Sequence, residues 1–137
     1  MSRDHEHGGI SLEALILAPA MILILVLVIV GGHIGLATVA IDAAAQNGAR
    51  AASIERTPAS ARTAATSAVN STLDQHGLEC STRATDIDVA AVGKQAGQHG
   101  AVHVNVRCTV AMTPLPGSRV VESRASSAVD TYRQSHR

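Results

Sequence analysis

The stretch from Ile10 to Leu36, ISLEALILAPAMILILVLVIVGGHIGL, decides how the rest of the chain can fold. Between Ala14 and Val30 it carries no polar side chain. At a rise of about 1.5 Å per residue, a helix of ~20 apolar residues crosses the ~30 Å hydrocarbon layer of a bilayer. A buried core helix is the alternative, but it would need a larger protein around it. We therefore predict one transmembrane helix.

The sequence outside this stretch is polar and poor in large side chains. The 137 residues include no phenylalanine, no tryptophan and one tyrosine, Tyr132, so only a thin core of small aliphatic residues is expected. The 11 basic and 11 acidic side chains cancel, and no basic patch is present. These features argue against a soluble cytoplasmic enzyme and against nucleic-acid binding.

The chain after the span is expected to be exported. Charge hardly decides the orientation, because Arg3 precedes the span and Arg50 follows it. The bulk of the chain and both cysteines follow the span, which favours a cytoplasmic N-terminus and an extracellular C-terminal domain. A cleaved secretory signal, cut among the small residues at 40–45, is an alternative, although its apolar stretch would be unusually long.

Glu13 is the most informative residue of the leader region. A carboxylate at the start of a spanning helix costs up to ~3 kcal/mol, less near the interface. It can be an interfacial residue favoured by the helix dipole. The stretch Gly8-Gly9-Ile10-Ser11-Leu12-Glu13, however, resembles the class III leader of type IV pilin-like proteins. That resemblance implies cleavage after Gly8, a mature chain that starts at Gly9, and pairing of Glu13 with a neighbouring subunit's freed amine.

A longer pattern is similar to the TadE-like pseudopilins of tight-adherence (Flp-type) pili, in the form found in high-GC Gram-positive bacteria. The matching residues surround the span and the segment just after it: Gly8, Leu12, Glu13, Ala14, Leu15, Leu17 and Pro19, then Ala44 and Gln46 to Ser53. The tail from Pro116 to Arg119 and from Val129 to Arg133 is also similar. The resemblance implies a prepilin peptidase, an assembly ATPase with its membrane platform, and other pilins as partners.

The spanning helix is expected to continue outside the bilayer. Its apolar positions recur at spacings of three and four, which predicts one helix over 10–54, about 65 Å long. The predicted buried face contains Ile34, Ala37, Ile41, Ala45, Gly48 and Ala52, and the opposite line contains Thr38, Asp42, Gln46 and Arg50. Pro19 is expected to kink the helix. Gly31 and Gly35 favour either close helix contact or a flexible joint.

A second helix and three strands are predicted after it. Thr57 as N-cap, Pro58 at the first helical position and Gly77 beyond the end delimit the helix. Alternating apolar residues predict a strand over 101–112, with its neighbours over 85–92 and 120–129 in an antiparallel meander. The sheet is expected to lie on the second helix or on the outer part of the first, with the third strand at an edge.

Cys80 and Cys108 are the only cysteines, and in a small exported domain they predict a disulfide. Closing a loop of this length contributes about 3.5 kcal/mol in the chain-entropy model. A metal site with His76 and His103 is the alternative, but an odd separation puts His103 and Cys108 on opposite faces of a strand.

No pattern of catalytic residues stands out. Asp86 and Asp88 share one strand face and are expected to face solvent. We expect no enzyme activity and no cofactor.

The sequence therefore predicts an α+β protein in three parts: a leader over 1–8, a transmembrane and juxtamembrane helix over 9–56, and an exported head over 57–137. The expected function is that of a single-pass, membrane-anchored minor pseudopilin in a tight-adherence pilus or a related secretion apparatus. Its expected partners are the lipid bilayer, the peptidase, the ATPase platform and other pilins. The alternatives are an uncleaved, signal-anchored envelope domain that binds a ligand, and a secreted protein that has lost its N-terminus.

Overall fold

The computed structural model describes residues 7–94 and 99–129, with side chains from Ala14 onward. It contains two helices followed by three strands, and this order confirms the predicted α+β fold. The elements are α1 (His7–Ser53), α2 (Pro58–Gln75), β1 (Thr82–Asp88), β2 (Ala101–Ala111) and β3 (Ser118–Ala128).

Helix α1 has 47 residues and is unbroken through Pro19 and the glycines at 31–35. Its length is about 70 Å. The predicted buried face is confirmed from Ala37 to Ala52, while Ile34 is half-buried and the polar line at Thr38, Asp42 and Gln46 is exposed. The buried face is wider than predicted, because α2 and the sheet cover two sides of α1; it also includes Ala40, Ala44 and Ala49.

Helix α2 begins and ends where its local sequence predicts. The Thr57 hydroxyl accepts a hydrogen bond from the Ser60 N–H at 3.1 Å, and Pro58 occupies the first turn. At the other end Gly77 adopts a φ of 62°. The Gly77 N–H donates to the Asp74 carbonyl and the Leu78 N–H to the Leu73 carbonyl, which is a Schellman motif.

The sheet is an antiparallel meander in the order β1-β2-β3, so β3 is an edge strand, as predicted. The inner face of β2 is fully buried and is lined by Val102, Val104, Val106 and Cys108. Of the two predicted positions for the sheet, the structure has the one on the outer part of α1, which packs on β2 and β3. The contact of α2 with β1 is weak.

The predicted bounds of the first strand are wrong. The prediction was 85–92, whereas β1 is Thr82–Asp88, paired with β2 from Thr82 opposite Thr109 to Asp88 opposite His103. The apolar residues after Asp88 fill the core from a turn, where the Val92 N–H donates to the Val89 carbonyl. Ile87 and Val89 are nonetheless buried, as predicted.

Candidate functional site

The first half of α1 carries a long apolar surface that the rest of the described chain leaves largely uncovered. We call Ala14–Val30 the exposed segment. Leu15 is 74% exposed and Leu25 is 60% exposed, and none of the most apolar window of the helix is buried. Leaving such side chains in water costs about 1.5–3 kcal/mol each. The segment is therefore not a core helix of this chain; its length and composition are those of a membrane span or a signal anchor.

The residues of the predicted processing site lie at the start of this helix. Gly8, Gly9 and Glu13 belong to the first turns of α1, but the Glu13 side chain lies outside the described part of the chain. Cleavage after Gly8 and pairing of Glu13 therefore stay predictions. Residues 130–133 of the similar tail also lie outside the described residues.

Three glycines mark the end of the exposed segment. A Cβ atom added at Gly31, Gly32 or Gly35 would meet no atom within 4 Å. No contact within the described head accounts for these glycines. The helix is continuous through them, and both predicted roles, close approach of another helix and a flexible joint, stay predictions.

The second half of α1 is held firmly in the head, by which we mean α1 from Ala37 onward, α2 and the sheet. A Cβ atom at Gly48 would lie 2.7 Å from Val69 Cγ2, so the Val69 side chain of α2 packs directly on the α1 backbone at this glycine. Polar contacts tie α1 to both of its neighbours. Asn47 donates to Thr72 of α2 at 3.1 Å, and the Ser123 hydroxyl of β3 donates to the Asp42 carboxylate.

The predicted disulfide is present. Cys80, which follows α2, is bonded to Cys108 of β2 with their Cα atoms 5.4 Å apart. The bond joins the α2–β1 connection to the central strand, and Cys108 is fully buried. Both sulfur atoms are used in this bond, so the alternative metal site with His76 and His103 is not formed. Within the described residues no group of three His, Cys, Asp or Glu side chains could hold a metal ion.

The outer face of the sheet carries a network of charges. Arg107 Nε lies 3.0 Å from Glu122, and Asn105 Nδ2 donates to the same carboxylate at 2.8 Å. The hydrogen bond from Arg107, and then the one from Asn105, hold the pKa of Glu122 below its ordinary value. The network stabilises the pairing of β2 with β3.

Beside this network lies an open concavity of about 320 Å³, lined by Asp86, Asp88, His103, Asn105 and Arg124. Asp86 and Asp88 are exposed, as predicted.

The strand register also aligns Asp88, His103 and Ser126 across the three strands, which the sequence alone did not reveal. The only hydrogen bond of these three side chains among the described residues is from the Ala90 N–H to Asp88. A hydrolytic triad needs the acid to orient the histidine and the histidine to contact the hydroxyl. Neither of these two contacts is present among the described side chains of the aligned residues.

A cleft of about 290 Å³ lies where α1 leaves the head. Its walls are Val30, Ile34 and Ala37 of α1 and Leu78, Val110 and Met112 of the head, with His33 and Glu79 also lining it. We call it the base cleft. Its lining combines aliphatic side chains with polar ones, among them Thr113, and it is continuous with the exposed segment.

No protein-family model matches this chain, and neither a characterised protein nor a solved structure matches it. The most distinctive feature of the described chain is an exposed apolar helix that continues into the core of a small, disulfide-linked head.

Proposed function

We propose that the chain is a membrane-anchored minor pseudopilin that takes part in assembling a tight-adherence pilus or a related secretion apparatus. Its N-terminus would be cytoplasmic and its head extracellular. The single observation that carries the proposal is that one unbroken helix is bare and apolar in its first half and forms the core of the head in its second half.

This arrangement suits a subunit that moves from lipid into an assembly. None of the most apolar window of the exposed segment is buried in the described head, so this surface can exchange lipid for neighbouring helices while the core stays as it is. Because the second half of α1 is part of the core, the head would move together with the exposed segment when that segment packs against neighbouring helices. Small residues at the end of the segment permit the close helix contacts that association in lipid requires.

Glu13 supplies the proposed selectivity for assembly. Cleavage after Gly8 by a prepilin peptidase would create a positively charged amine on Gly9. A carboxylate held near lipid is costly when alone and less costly when paired with such an amine, so pairing between subunits favours assembly over an isolated helix. The assembly ATPase with its platform and other pilins are the partners that this mechanism needs.

The second candidate is an uncleaved, signal-anchored envelope domain, since the same helix also meets the description of a signal anchor. A secreted form cut at 40–45 is disfavoured by the packing. Such a cut would remove Ala37 and Ala40 from the core. Ile41, which is fully buried, would either become the first residue or be removed as well.

Substitution of Glu13 tests the proposal. Glu13→Ala should still enter the membrane, but its incorporation into isolated pili or into cross-linked pilin complexes should fall several-fold. Asp86→Ala is the matched control, because it removes an exposed carboxylate from the outer face of the sheet. Incorporation of Glu13→Ala at the level of the control would contradict the proposed pairing.

A further inference from the structure

The base of the head lies close to the plane where α1 should leave the bilayer. A hydrocarbon layer of ~30 Å accommodates ~20 helical residues. Counted from Ala14, the first residue after Glu13, these residues end at His33. The head begins to cover α1 at Val30 and Ile34, which are half-buried, and Ala37 is only 3% exposed. The lower rim of the head is therefore within about one helical turn of the boundary.

The turn between β2 and β3 is the part of the head that points toward this boundary. Strand β2 runs down to Ala111 and β3 runs up from Ser118, and the Met112 N–H closes the turn by donating to the Gly117 carbonyl at 3.0 Å. Leu115 is 45% exposed on the turn. It stands between Pro114 and Pro116, which lack N–H groups, so the tip has fewer backbone donors that need water.

The base cleft connects this turn to the helix. One wall is Val30 and Ile34 of α1, and the other includes Leu78 and Met112. Val30 is the last residue of the exposed segment, so the cleft opens at the level of the predicted boundary. Arg119, one residue after the start of β3, is exposed and pairs with Val110 of the cleft, which suits contact with lipid phosphates.

We propose that the base of the head, with Leu115 at the tip of the turn and the base cleft behind it, sits on the interfacial layer of the lipid bilayer. The occupant of this surface is the boundary between headgroups and acyl chains. The inference rests on the membrane anchoring in the proposed function, and it adds that the head has a fixed orientation on the membrane before assembly.

The test uses the full chain in phosphatidylethanolamine–phosphatidylglycerol vesicles, with its native disulfide intact. Spin labels are attached to single introduced cysteines in Leu115→Cys, Leu23→Cys and Arg56→Cys. Leu23 lies in the exposed segment, and Arg56 is exposed between α1 and α2, at the opposite end of the head. Accessibility to oxygen and to a water-soluble nickel chelate is measured by electron paramagnetic resonance.

We expect the label at position 115 to be several-fold less accessible to the nickel chelate than the label at 56, and to lie between those at 23 and 56 in its accessibility to oxygen. Equal nickel accessibility at 115 and 56, with the label at 23 protected, would overturn this inference alone. A label at 23 open to nickel would overturn the membrane anchoring, and this inference with it. If the protection of the label at 115 from nickel disappears when the protein is diluted in lipid, a second copy of the chain covers this surface in place of lipid. That result would also overturn the inference.

Discussion

Gly48 sets how closely α1 and α2 approach each other. An added Cβ would lie 2.7 Å from Val69 Cγ2, and the χ1 angle of a helical valine has little freedom to move away. We expect Gly48→Ala to lower the free energy of unfolding by about 1–3 kcal/mol, as overpacking usually does. Thermal unfolding of the full chain in micelles, followed by circular dichroism, measures this change.

Gly35→Ala is the matched control for Gly48→Ala, because its added Cβ would meet nothing within 4 Å. It should unfold at the wild-type temperature or slightly above it, since alanine favours helix. Equal unfolding temperatures for Gly48→Ala and the wild type would show that the two helices are less tightly packed than described.

Glu122 makes the stability of the head depend on pH. Its pKa in the folded protein is lowered, chiefly by the hydrogen bond from Arg107, and so its contribution is complete above the ordinary glutamate pKa and is lost as the pH falls through the lowered value. Acidification below about pH 4 should therefore weaken the wild type more than Glu122→Gln. Urea unfolding at a series of pH values measures the difference.

Arg107→Gln tests the cause of this pH dependence. Arg107→Gln should reduce the loss of stability on acidification nearly as much as Glu122→Gln does. The pH dependence that remains should come from the hydrogen bond between Asn105 and Glu122. An unchanged acid response in both variants would contradict the assigned role of the pair. Because both side chains are largely exposed, the effect should also decrease in high salt.

The disulfide joins two elements that otherwise share few contacts, the end of α2 and the central strand. Reduction should lower the free energy of unfolding by about 3.5 kcal/mol, because the unfolded chain regains the freedom of the closed loop. Urea unfolding with and without a reductant measures the loss. The double variant Cys80→Ser, Cys108→Ser should not respond to the reductant; a response of the same size in that variant would contradict the assignment.

The elements differ in how far the sequence predicts them. Strand β2 alternates apolar and polar residues along its length, so its prediction over 101–112 agrees with Ala101–Ala111. The bounds of α2 follow from Thr57 and Gly77, whose local chemistry ends a helix regardless of the tertiary fold. Strand β1 begins with Thr82-Arg83-Ala84, which has no apolar alternation; only pairing with Arg107–Thr109 makes it a strand.

Packing between elements is less predictable. The alanines on α1 look alike in the sequence, and only the covered sides distinguish Ala40, Ala44 and Ala49 from exposed positions. The arrangement of side chains on the outer face of the sheet is also hard to predict, because the alignment of His103 with Asp88 and Ser126 depends on the strand register. The exposed segment and the disulfide were predictable from the sequence, because a long apolar stretch and a single pair of cysteines can be recognised without knowing how the strands pair.

At the scale of the whole molecule, α1 belongs both to the exposed segment and to the core of the head. Removing the residues before Ile41 would remove buried side chains of the head, Ala37 and Ala40, together with the exposed segment. In a pseudopilin this continuity would make the position of the head follow the packing of the helix. The proposed processing step changes only the beginning of that helix and leaves the core intact.

The mature N-terminus tests the central claim most directly. The protein should be isolated from the membrane fraction of cells that contain its processing enzymes, and its N-terminus and intact mass determined. The account predicts a chain that begins at Gly9 and retains Glu13. A functional protein that still begins at Met1, or one that begins beyond Ala40, would contradict it.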